Sequence, residues 1–146
     1  MSGPERSGLE RFVAAQRDLY DQALRELRAG DKQSHWMWFV FPQLAALGRS
    51  ATAKFYGIGD LAEAQAYLAD PRLSGRLRRC TEVVLSWAGR REAIEIFGSI
   101  DALKFASSMT LFEAAGGGSL YGQALDAFYA GQRDEATLAL LGQGGG

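Results

Sequence analysis

Residues 9–30 read LERFVAAQRDLYDQALRELRAG. Leu9, Phe12, Val13, Leu19, Tyr20, Ala23, Leu24 and Leu27 recur close to the helical period of 3.6, and Gly30 supplies a good C-terminal stop. Just ahead of the run, Ser7 and Glu10 have the spacing of a capping box, in which a hydroxyl and a carboxylate satisfy amides left free at a helix start. The spacing predicts one long amphipathic helix, and the same logic extends down the chain.

Asp60 followed by Glu63 repeats the capping pattern ahead of Leu61, Ala64, Tyr67 and Leu68, and Asp70-Pro71 ends that helix and starts the next. Between Pro71 and Trp87 the residues Leu73, Leu77, Cys80, Val84 and Trp87 form one apolar stripe. Shorter helices are predicted over 50–56 and 90–97, stopped by Gly57 and Gly98, and another opened by Pro42 and ended by Gly48. Ser99 is expected to cap a more apolar helix containing Ile100, Leu103, Ala106, Met109 and Phe112, and helices over 119–130 and 134–141 close the chain. Gly116-Gly117-Gly118 reads as a flexible break, because no strand precedes it and no Gly-Lys-Ser/Thr follows. No convincing period-2 alternation appears, although Phe39-Val40-Phe41 has a β-like composition compatible with an extended segment. The expected fold is all-α: one compact domain over residues 7–141 with about seven to nine helices, several short, and disordered ends at 1–6 and 142–146.

With 146 residues, 47% hydrophobic and 23% charged, the chain is long enough to bury a stable core as a single domain. A formal net charge of −1 removes any overall attraction to nucleic acid or to an anionic membrane, so a basic site must be local. Cys80 is alone and His35 is the single histidine, which excludes an intramolecular disulfide and a Cys/His zinc site. No apolar run approaches ~20 residues. The start MSGPERSG lacks the apolar stretch of a signal peptide, and the expectation is a cytoplasmic protein.

Three clusters carry groups capable of chemistry. Residues 34–43, SHWMWFVFPQ, pack two tryptophans, two phenylalanines and the histidine into ten positions. They are either core with His35 at its edge, or a wall on which Trp36, Trp38 and Phe41 stack a planar ligand while His35 and Gln43 bond its rim. Arg72, Arg76 and Arg79 fall at i, i+4 and i+7 on one helical face; they read either as a solvated face paired with carboxylates or as a phosphate-binding stripe. Asp101, Lys104 and Ser108 share a face of an otherwise apolar helix, which implies either an i, i+3 ion pair or a pocket wall binding an anion through Lys104 and Ser108. Catalytic serine chemistry is disfavoured, since no serine has a glycine-flanked elbow or a Ser-x-x-Lys order, and Cys80 on its apolar stripe reads as core.

The same segments carry a resemblance. SHWMWFVFPQLAALGRS, the YGI and EAQAYL of residues 56–68, the LSGRL of 73–77, IFGSIDALKFASSMTLF of 96–112 and the GQRDEATLALL ending resemble the bacterial domain of unknown function family 1810 over nearly the whole chain. The resemblance implies a mainly helical fold of this size and no established catalytic residues or cofactor. Some family members carry a calpastatin label, which fits poorly: such inhibitors are disordered, acidic and repetitive, whereas this chain has a dense aromatic segment and no repeats.

Two functional expectations follow. In the first, a small anionic or nucleotide-like ligand occupies a pocket between the aromatic segment 34–43 and the helix 99–112, formed by His35, Trp36, Trp38, Gln43, Arg49, Ser50, Lys104 and Ser108. In the second, the chain is an adaptor without chemistry that binds a protein through the arginine stripe or a helix groove. Convergence of the His35, Arg49 and Lys104 heads on a concave site favours the first; dispersed, individually paired heads favour the second.

Overall fold

The computed structural model describes residues 8–142. Those residues are 69% helical and form one compact domain without strands. Nine α-helices follow in chain order: α1 (Glu10–Arg28), α2 (Met37–Val40), α3 (Ala51–Phe55), α4 (Leu61–Ala69), α5 (Pro71–Leu85), α6 (Ala93–Phe97), α7 (Ser99–Ala114), α8 (Ser119–Tyr129) and α9 (Glu135–Leu140). A 3-10 turn at Ala45–Leu47 lies between α2 and α3. The capping serine Ser7 and both expected disordered ends lie outside the described residues, save for Gly142. Glu10, the other half of the expected box, instead receives Arg72 at 3.0 Å.

Helix α7 is the axis of the fold. It packs against α4, α6, α8 and α9, and from Phe105 to Phe112 every one of its residues is buried. Burial all round fits the near-absence of a polar face in this sequence. The long amphipathic α1 lies on α5, burying Phe12, Val13, Ala23, Leu24 and Leu27. The crossing is pinned where the Trp87 indole nitrogen donates to the Leu27 carbonyl at 2.9 Å. Gly30, at φ +68°, makes this approach possible: a Cβ there would stand 2.8 Å from the Trp87 ring.

Two boundaries differ from the sequence expectation. The helix expected to open at Pro42 begins only at Ala45, because the backbone of 43–45 is engaged by Ile58: Ile58 donates to Gln43 at 2.9 Å and accepts from Ala45 at 2.8 Å, in one isolated parallel bridge. Gly57 allows that pairing, since a Cβ there would lie 2.2 Å from the Ala45 backbone. Ser99 is the first helical residue of α7 and not its cap. Gly98, at φ +85°, ends α6 and starts α7 in a single residue, leaving no separate capping position. The β-like Phe39-Val40-Phe41 lies mostly in the one-turn helix α2.

Candidate functional site

The aromatic segment is held from beneath by α1. Gln16, fully buried in an apolar surround, donates to the Phe39 carbonyl at 2.6 Å and to the Tyr67 hydroxyl at 3.1 Å, and accepts from Arg76 at 3.3 Å. All the polar valences that burial would penalise are thereby used, and α2 is fixed on α1. Just upstream, Glu26 organises the turn over residues 31–36. One carboxylate oxygen accepts from the Gln33 amide at 2.9 Å, the Ser34 amide at 3.0 Å and the Trp36 indole at 2.8 Å; the other accepts from the Ser34 hydroxyl and from Gln22. Partial burial alone would raise this carboxyl, but the donors outweigh it and pull it from 4.5 down to about 2. A backbone bond from Lys32 to the Ile96 carbonyl at 2.8 Å then joins the turn to the end of α6.

That bond brings the two sequence clusters together. A cleft of about 360 Å³ opens between residues 32–38 and the start of α7, with Lys32, His35, Trp38, Ser99, Asp101 and Lys104 among its lining residues. Lys104 Nζ stands 5.0 Å from the centroid of the half-buried Trp38 indole and 3.5 Å from Asp101. Lys32 Nζ lies 2.8 Å from the same carboxylate, donates to the Ser34 carbonyl at 2.6 Å and sits 5.1 Å from the Trp36 ring. Two ammonium groups therefore share one carboxylate, and the cleft keeps a local positive excess beside an aromatic face.

Three of the eight residues expected at the pocket, His35, Trp38 and Lys104, line this cleft. The other five do not. Trp36 is 0% exposed and spends its one donor on Glu26, so it is core. Ser108 lies four residues beyond Lys104, a full turn deeper, where α7 is enclosed; its hydroxyl is buried and finds no hydrogen-bond partner among the described residues. Gln43 is held by the Ile58 bridge through its carbonyl, Ser50 accepts from the Ala53 amide as the cap of α3, and Arg49 is exposed beside it. Of the three heads whose convergence separates the two functional expectations, His35 and Lys104 line one cleft and Arg49 does not.

The sequence reading missed Lys32, and placed Asp101 only as the structural partner of Lys104. A lone lysine between Gly30 and the aromatic block has no distinguishing signal; its role comes from the Lys32–Ile96 bond across 64 positions. In the arginine stripe Arg72 and Arg76 are committed, and Arg79 is exposed. Arg72 pairs with Asp70 and Glu10 at 3.0 Å each, and Arg76 meets Gln16 and lies over the Tyr20 ring. Burial pushes the Cys80 thiol up to about 12, as suits a core residue. Among the described residues no cluster of His, Cys, Asp and Glu is placed to hold a metal ion, and no helix is long and apolar enough to cross a membrane.

Comparison with known proteins agrees with this fold. The family described as "Protein of unknown function (DUF1810)" matches residues 6–141. The chain belongs to this family. It is similar to the conserved hypothetical protein Rv1873 from Mycobacterium tuberculosis, whose crystal structure superposes with a TM-score of 0.89 at 49% identity, covering 92% of this chain and 96% of that one. No curated protein matches the chain.

Proposed function

We propose that this DUF1810 domain binds a small ligand joining an anionic group to a planar one, in the cleft between the 31–38 turn and the start of α7. The observation that carries the reading is the stacking of Lys104 on Trp38, with Lys32 beside it and the Asp101 carboxylate shared by the two ammonium groups. An anion at Lys104 restores local neutrality, and a flat apolar group takes the indole face. A cleft of about 360 Å³ lies within the range of small-molecule sites, roughly 300–1,000 Å³. A phosphate-bearing heterocycle, such as a mononucleotide, suits both the charge and the size.

The test is thermal stability across millimolar phosphate and the common nucleoside monophosphates. A ligand that binds only the folded state raises the melting temperature by mass action, adding RT ln(1 + [L]/Kd) to stability. Lys104→Met retains the stem and removes the charge, and it abolishes the ligand-dependent rise. A wild-type protein indifferent to every one of these anions defeats the reading and favours a protein-binding adaptor.

A further inference from the structure

A second and larger concavity, about 790 Å³, lies on the other side of the α7 N-terminus. Ser99 lines both spaces. The larger groove has Ile94, Ala102, Leu103 and Phe128 along it. Its charged residues balance: Arg90 and Arg91 stand with Glu92 and Glu95, and Arg91 pairs with Glu95 at 4.0 Å. The arginines are further occupied by the Trp87 ring, at 4.5 and 5.9 Å from its centroid.

Ile94, Ile100 and Leu103 remain 59%, 69% and 70% exposed around the junction of the two spaces. They account for three of the five large apolar side chains left exposed among the described residues. Apolar surface gathered in this way marks a place where something apolar binds. The positive excess belongs to the smaller cleft, and the larger groove offers apolar contact without net charge. Between them stands Ser99.

Resting on the anion-site reading, we infer that the site also accepts an amphiphile: its anionic head sits at Lys104, and an uncharged hydrocarbon tail crosses Ser99 into the groove beside Leu103 and Phe128. The chemical class is an alkyl phosphate monoester or a free carboxylic acid with a short to medium tail. The lysines disfavour a cationic head, and the groove carries no net charge to hold a second charge on the tail.

Isothermal titration with methyl, butyl, hexyl and octyl phosphate tests this, with hexyltrimethylammonium as the control for unspecific uptake. Affinity is expected to climb by up to about fourfold per methylene until the groove is filled, and the control is not bound. Ile94→Asp and Leu103→Asp each place a charge in the groove at a residue that does not line the smaller cleft; both positions are exposed, so folding is preserved. Each variant keeps the methyl phosphate affinity and flattens the chain-length dependence. If methyl phosphate binds while longer homologues gain nothing, the tail inference is overturned and the anion site stands. If no phosphate binds, the anion site fails and the inference with it. A chain-length dependence that survives both variants, or equal binding of the ammonium control, places the tail elsewhere and overturns the inference.

Discussion

Replacing Glu26 with Gln isolates the group that shapes the 31–36 turn. The carboxylate faces five donors, from Gln22, Gln33, Ser34 twice and Trp36, and the amide of glutamine confronts some of them with a second donor. A drop from 4.5 to about 2 corresponds to a ceiling of roughly 3.4 kcal/mol of stability at neutral pH. Because the side chain is partly exposed, solvent screening reduces this to about 1 to 2 kcal/mol. The folded carboxyl holds its proton less tightly than the unfolded one. Its contribution is therefore complete above about pH 4.5 and is lost as pH falls through 4.5 toward 2. Urea unfolding followed by circular dichroism at pH 6, 4 and 2.5 is expected to show Glu26→Gln less stable at pH 6 and the gap narrowing by about 1 kcal/mol or more at pH 2.5. The other carboxyls titrate in both proteins and cancel in the comparison. An undiminished gap at pH 2.5 refutes the assignment of the turn's stability to this carboxylate. Since the turn carries Lys32 and His35, the same variant also weakens phosphate binding at pH 7.

Lys104→Met lowers stability by less than about 1 kcal/mol in thermal or urea unfolding, because its ion pair is partly solvated and Asp101 retains Lys32 at 2.8 Å; a loss of several kcal/mol makes Lys104 a structural residue. Gly75→Ala, in the middle of α5 with nothing within 4 Å of the new methyl, stabilises by about 0.5 to 1 kcal/mol. Gly57→Ala is destabilising by about 1 to 3 kcal/mol, since its methyl would meet the Ala45 backbone at 2.2 Å. Cys80, buried and with its thiol held up at about 12, reacts with a thiol reagent only when urea unfolds the chain; rapid labelling of the native protein contradicts the packing of α5.

Helix identities were readable from the sequence wherever local chemistry decides them. Asp60 accepts from the Glu63 amide and Asp70 from those of Arg72 and Leu73, as their capping spacing predicts, and Gly30 takes the left-handed stop. Of the two boundaries that failed, one yielded to a distant partner, Ile58, which takes the backbone expected to continue from Pro42, and the other to Gly98, which ends one helix and starts the next. The candidate site divides along the same line. The aromatic block and the Asp101–Lys104 face were visible as patterns, and their meeting was assumed. Which members face the cleft depends on tertiary direction: Trp36 and Trp38 have the same composition signal but point to opposite sides, one into Glu26 and the core and the other under Lys104. Ser108 shares a helical face with Lys104 on paper, yet a turn of rise carries it under the neighbouring helices.

The Trp87–Leu27 bond spans 60 positions of sequence, and that span has a meaning during synthesis. The ribosome adds about 5 to 20 residues per second, so α1 leaves the tunnel roughly 3 to 12 seconds before the chain that covers it exists. Through that interval Phe12, Val13, Leu24 and Leu27 form an apolar stripe that has the short α2 to lie against but not yet α5. The nascent helix is kept in solution only by its outer face, where Arg17, Asp18, Asp21 and Arg25 are exposed in the finished domain. The docking of α5 is therefore the step that closes this stripe from solvent.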